Sequence, residues 1–431
     1  MVALLSMPNL DILKTEPVHG PSHRPQSIEE IDVRQSVLED LALKTLYMSG
    51  SLSVLQLSEK TRLSFEVTKE LSFQMRTELL CQVTGLNGHI PQIAITSEGR
   101  SRAMAVLSQN HYIGPAPVAF ESYVEQTLLQ RIQKVDVHES DVQRAFAHLV
   151  IDSEKLRALG TALNSGSSVF LYGPPGTGKT TIAETLSQVI SQDAVWIPYA
   201  VEVDGDIITV YDSAIHKRVA ESKQEGRDER WVLCERPAVL VGGELTAEML
   251  DLQFNPTTKF YVAPAQMKAN NGVLIIDDFG RQRIRPEDLL NRWVVPLDRK
   301  IDFLTLAGGK KLEVPFEMLV VFASNMDPAE LVDACFLRRI QTKIKIGTVS
   351  DAQFCEILRR VAGNNSIEIE PDVPKDLIAF IRNLLKQELR QCYPRDIVNQ
   401  VIWAARYEGK KPYLDHASMT RAAEAYFLPK E

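Results

Sequence analysis

The stretch S167-SVFLYGPPGTGKTTIAETLSQV-I190 decides how the rest of the chain is read. Its apolar opening has the texture of a buried strand and its close has helical spacing. Between them, Gly173–Thr180 fits G-x-x-x-x-G-K-[ST], a pattern that carries weight only between a strand and a helix. Glycines there let successive backbone N–H groups turn inward around phosphate oxygens, and the helix N-terminus adds partial positive charge. Lys179 can reach the outer phosphates, and the Thr180 hydroxyl can ligate Mg²⁺. The candidate phosphate-binding residues are thus Gly173, Pro174, Pro175, Gly176, Thr177, Gly178, Lys179, Thr180 and Thr181.

A second apolar run, Gly272-Val-Leu-Ile-Ile-Asp-Asp-Phe-Gly280, stops on two acids. As a strand it delivers Asp277 to hold the same Mg²⁺ and Asp278 to orient or deprotonate an attacking water. Lys179 and Asp277 lie 98 positions apart. One helix and one strand do not need that length, so the intervening segment is expected to carry extra elements. These are a hairpin around Asp204-Gly205, and a strand and helix in "AVLVGGELTAEMLDLQ". From Gly173 to about Ile346, apolar strand-like runs alternate with helices, the pattern of a parallel sheet covered on both faces.

Outward from this core, residues 1–30 mix Pro, His, Ser and acids without periodicity and read as a flexible lead. Over 31–110 three helical patterns precede two extended runs joined at Asn87-Gly88, with a last helix from Thr96. This is the order of a winged-helix domain. The Gly/Pro-rich stretch 111–123 reads as a linker, 124–349 as the α/β nucleotide-binding domain, and 350–431 as four amphipathic helices forming an all-helical lid.

The bulk numbers fit two or three domains: 431 residues, 45% hydrophobic and 24% charged. A net charge of −8 argues against a protein that coats nucleic acid. The five cysteines are scattered without a C-x-x-C pair, and the histidines lack ligand spacing, so no protein-bound metal cluster is expected. No apolar run spans a bilayer, and a cytoplasmic location is expected.

Together the two motifs resemble the AAA+ ATPases, with Gly173–Thr180 as Walker A and Val273–Asp278 as Walker B. That resemblance covers roughly Val118 to the C-terminus and implies ATP and Mg²⁺ as cofactors. It makes Asn325, ending "MLVVFASN", the sensor-1 residue. Arg338 or Arg339, in "LVDACFLRRI", becomes an arginine finger reaching a neighbouring subunit's ATP. Arg395, in "YPRD", becomes sensor 2 on the lid. The run "KIDFLTLAGGKKLEVPF" is a hairpin around Gly308-Gly309 and, with "FLRRI" and "LLNRWVVPL", resembles the MoxR-like branch. Asp278 in place of the usual Glu, and the leading winged-helix domain, depart from that branch.

By this resemblance the expected active form is a ring, hexameric as the family implies, which remodels or helps assemble a protein partner. A surface-appendage or secretion assembly is one specific version of that partner. Two other readings stand beside it. One is a DNA-associated ATPase that uses the winged helix, although residues 31–110 carry eight acids against eight bases and the third helix holds Glu66, Glu70 and Glu78. The other is a slow conformational switch, because an aspartate stops one methylene short of glutamate at the water.

Overall fold

The structure is a computed structural model that describes residues 20–21, 23–132, 136–191, 193–219, 226–331 and 334–427. These fall into two compact units, one built from 1–135, 190–274 and 291–319, the other from 136–189, 275–290 and 320–431.

The first unit begins with helices Gln35–Ser49, Val54–Thr61 and Phe65–Thr77. Their starts are set by short polar side chains: Ser53 and Gln56 form a reciprocal capping box, and Ser64 accepts from the Val67 N–H. Strands Cys81–Asn87 and Ile90–Ile95 follow as an antiparallel hairpin, and Leu52–Ser53 pairs with the second of them. Gly88, at φ 63°, takes the left-handed turn that the Asn-Gly pair promised. Helix Ser97–Gln109 closes the segment, capped by Thr96. Leu38, Leu57, Val67, Leu71 and Ile93 are among the side chains that fill its core.

The same unit holds a five-stranded sheet ordered Gln253–Phe254, Tyr261–Val262, Asp206–Thr209, Ala200–Val203 and Val118–Ala119. Asp204 and Gly205 join two of these strands with φ of 51° and 97°, the positive pair that a tight hairpin turn requires. Strands Ala194–Pro198 and Trp231–Glu235 form an antiparallel pair. The hairpin Ile301–Thr305/Lys311–Pro315 buries Leu304, Leu312 and Val314 in the core shared with Val201 and Tyr261.

Several expected boundaries give way here. The linker at 111–123 is structured: Tyr112 and Ala116 are buried, Val118–Ala119 is a strand paired with Val201–Glu202, and helix Phe120–Leu129 starts at once. Its many prolines and glycines make turns between ordered elements rather than slack. The flexible lead is ordered from residue 23, with Ile28 and Ile31 buried in the helical core, while 1–19 and 22 lie outside the described residues. Residues 124–349 do not form one compact domain, because 190–274 and 291–319 cluster with the N-terminal segment. The helix expected in "AVLVGGELTAEMLDLQ" is only a 3₁₀ turn at Glu248–Leu250 after strand Ala238–Val241.

The strands Val273–Ile276, Leu319–Ser324, Ser168–Tyr172 and Thr342–Lys345, most of whose residues belong to the second unit, lie in that order, with the last two pairings parallel. Helix Lys179–Ile190 follows directly on the phosphate loop. The C-terminal part contributes helices Asp351–Asn364, Val373–Ala379 (continued by a π-helical turn to Leu384), Cys392–Tyr407 and His416–Tyr426. They pack around Phe354, Leu377, Ile397 and Met419. The fold is α/β, with a parallel-sheet P-loop core and a helical C-terminal region.

Candidate nucleotide site

The phosphate loop is shaped by its glycines. Gly173, Gly176 and Gly178 all sit at positive φ (143°, 77° and 81°), where any other residue would be strained. All three are also crowded: a Cβ at Gly173 would stand 2.1 Å from the Ile346 carbonyl oxygen, one at Gly176 2.5 Å from Cys392 Sγ, and one at Gly178 2.6 Å from Gln391 Oε1. Thr177, buried, donates its hydroxyl to the Pro174 carbonyl at 2.9 Å and braces the loop from within.

Lys179 is buried, and its ammonium donates to the Gly173 and Pro174 carbonyls at 2.9 and 2.8 Å. Burial lowers its pKa below the ordinary lysine value, and the carboxylates of Asp277 and Asp278 pull the other way without cancelling it. The Thr180 hydroxyl donates to both Asp277 oxygens, at 2.9 and 3.1 Å. One hydroxyl and one carboxylate at this separation are hard oxygen donors of the kind that, with phosphate oxygens and water, suit Mg²⁺. A bound Mg²⁺ would neutralise charge on the outer phosphates.

The strand end itself is locked from behind. Phe279 is buried against Phe170 and Phe322, at ring-centroid distances of 5.8 and 5.1 Å, and its N–H donates to Ala323 O at 2.7 Å. With Phe279 turned inward, Asp278 adopts φ 50° and faces solvent. Asn325 Nδ2 then donates to Asp278 Oδ1 at 2.9 Å, and the Asp278 N–H donates to Asp277 Oδ1 at 3.0 Å. Left-handed backbone at a non-glycine residue costs energy and persists where its surroundings impose it.

Five of the expected residues therefore form one constellation: Lys179, Thr180, Asp277, Asp278 and Asn325. The arginines stand apart from it. Helix Ala334–Leu337 ends before Arg338, so neither finger candidate lies on a helix; Arg338 is exposed, while Arg339 is half-buried with its carbonyl accepting from Ser168 at 3.1 Å. Arg395, on the first turn of helix Cys392–Tyr407, is exposed and pairs with its neighbour Asp396 at 3.1 Å.

Sequence reasoning did not foresee a cleft that lies beside the loop. Val150, Ile151, Ile182, Ile346 and Val349 line a narrow cleft of mixed character, with Asp152, Lys155, Thr348, Gln353 and Gln391 as its polar side. Arg360 donates to the Ala147 carbonyl at 2.8 Å, and Gln353 donates to Asp152 at 2.6 Å, so helix Asp351–Asn364 holds the 147–152 wall in place. The available signal was weak: an apolar pair just before a helix start, and a glutamine just before "YPRD". Partial burial, and then the charge of Asp277, also raise the Glu184 carboxyl above its usual range, placing another acid within electrostatic reach.

A family model of the AAA domain (dynein-related subfamily) matches residues 168–200, and a domain of unknown function (DUF8689) matches 350–425. Among solved structures, the RuvB Holliday junction branch migration motor of Thermotoga maritima is similar at 15% identity and a TM-score of 0.36, over 69% of this chain and 72% of that one. NtrX from Brucella abortus in complex with ADP is similar at 15% identity and a TM-score of 0.41, over 78% of this chain and 68% of that one. No curated protein matches the chain. Among the described residues no helix is long and apolar enough to cross a membrane.

Proposed function

We propose that this chain, an AAA+ ATPase by its P-loop core and its matched AAA domain, hydrolyses ATP at the subunit interfaces of a ring to remodel a protein partner. The observation that carries the hydrolytic reading is the 2.9 Å bond from Asn325 to Asp278. It ties the acid at the Walker B end to the sensor-1 position, as expected of a pair that orients an attacking water. Lys179 and the loop amides would bind the β- and γ-phosphates, Thr180 and Asp277 would hold Mg²⁺, and the narrow cleft, once opened, would take the base.

The ring rests on the arginines. Arg338 and Arg395 are exposed and bonded to none of the constellation, which suits groups that meet ATP only when a second subunit or a lid movement brings them to it. The hairpin Ile301–Pro315 supports placement near the MoxR-like branch, and a chaperone-like role in the cytoplasm with a surface-appendage or secretion assembly as client follows from that placement. The helix and hairpin order of 35–95 is that of a winged helix. Its exposed Phe73, Leu79 and Leu86, with acids and bases in equal number, favour protein docking over DNA.

A second reading, the slow switch, draws on the same acid. An offset near 1 Å at a water-positioning carboxylate costs about a hundredfold in rate. Against that, the φ of 50° and the Asn325 bond hold the shorter side chain in a fixed pose. Steady-state ATPase assays on the assembled protein separate the two. Asp278→Asn is expected to cut turnover about a hundredfold or more with ATP affinity unchanged. Asp278→Glu is expected to slow a site built for aspartate, and faster turnover in that variant would favour the switch instead.

A further inference from the structure

Two consecutive residues at the start of helix Cys392–Tyr407, its N-cap and its first residue, lie directly on the phosphate loop. Cys392 donates its N–H to Gly176 O at 3.1 Å, and its sulfur occupies the space that a side chain at Gly176 would need. Gln391 does the same at Gly178, with Oε1 2.6 Å from a Cβ there. These glycines are thus required by what packs on them as well as by their backbone angles.

Gln391 differs from Cys392 in also lining the narrow cleft, beside Ile182, Ile346 and Val349. A nucleotide with its phosphates on the loop and its base in the cleft must carry its sugar and α-phosphate between the two. Gln391 touches both flanks of that passage. Its amide is half-buried and takes no hydrogen-bond partner among the described residues, whereas Gln353, lining the same cleft, is committed to Asp152 and to the Ser350 N–H. An amide with donor and acceptor both unspent, held at this point, is matched to ribose hydroxyls and phosphate oxygens.

We propose that Gln391 is a nucleotide-contact residue, whose amide hydrogen-bonds the ribose and α-phosphate span shared by ATP and ADP. Through it the C-terminal helices sense that a nucleotide is present, irrespective of the γ-phosphate. This role rests on the ATP site proposed above and adds a contact to it.

The test is isothermal titration calorimetry of ATP and of ADP on the full chain, with the thermal midpoint of the nucleotide-free protein and steady-state kinetics measured alongside. Gln391→Met keeps the packing at Gly178 and removes the hydrogen bonds. It is expected to weaken both nucleotides by the same factor, about tenfold, and to raise KM while leaving kcat and the nucleotide-free midpoint unchanged. Should that variant not fold, Gln391→Asn withdraws the amide by one methylene and is expected to weaken both nucleotides by a smaller common factor. Unchanged affinity for both, or loss for ATP alone, overturns the role while leaving the ATP site standing. Wild-type protein that binds neither nucleotide overturns the site and this role with it.

Discussion

Charged side chains in the two units lead opposite lives. In the first unit Arg230 is buried and saturated: it pairs with Asp228 and Asp32, each at 2.7 Å, and donates to Pro117 O at 3.1 Å. Arg236 is buried likewise, between Asp193 at 2.7 Å and the carbonyls of Gln130 and Asn271. In the second unit Lys179 bonds only to carbonyls of its own loop, and Asp278 and Arg395 face solvent. A buried charge with every bond satisfied specifies a fold, because removing one partner strands the other. A charge held in place with bonding capacity to spare is free to bind a ligand without cost to the fold. The lesson is that substitutions in the two sets should fail in different ways, one by lost function and the other by lost stability.

The largest effect is expected at Lys179. On the proposed function Lys179→Ala removes the cation that would meet the outer phosphates, so turnover should fall below detection. Its own bonds are to loop carbonyls, so the thermal midpoint should hold; a steep drop in midpoint would mean that this lysine belongs with the structural set. Next comes Arg230→Met, which leaves Asp228 and Asp32 half-stranded. It should cost about 3–5 kcal/mol of stability. Calorimetry should show that loss in one transition only, since two compact units need not melt together. ATP binding by the native protein should survive, and nucleotide binding lost with no change in melting would erase the contrast.

How much of this was legible in the sequence follows the same division. The phosphate loop, the acidic strand and Asn325 could be read because their chemistry is local: a few residues in fixed order between a strand and a helix. The hairpins at Asn87-Gly88, Asp204-Gly205 and Gly308-Gly309 could be read because turn chemistry is local too. What could not be read depends on long-range pairing. Nothing near Val118 announces that it pairs with Val201, and nothing near Asp32 announces that Arg230 will bury beside it. On composition alone the 111–123 stretch therefore reads as a linker. The cleft beside the loop is illegible for the same reason, since Val150, Ile346 and Gln391 meet only in the folded chain.

The smallest effect tests the comparison at its least obvious member. Lys44 is buried in the first unit, yet its ammonium has a single hydrogen bond, to Asn110 O at 3.2 Å. Burial pushes its pKa down to about 8, with Asp40 opposing only in part. It is thus a buried charge that is not saturated. Below pH 8 both folded and unfolded chains carry the proton, and the cost of burying it is paid in full. Between 8 and the ordinary value of 10.5 the unfolded chain still binds the proton while the folded chain has released it, so this group makes stability rise with pH across that window. Lys44→Met removes the cost altogether. The variant should be more stable than wild type at pH 7, by about 3 kcal/mol, and the gap should close as the pH approaches 10.5. Denaturant melts at several pH values measure it directly. A variant less stable than wild type at pH 7 would show that the one bond to Asn110 outweighs burial, and would move Lys44 into the same set as Arg230.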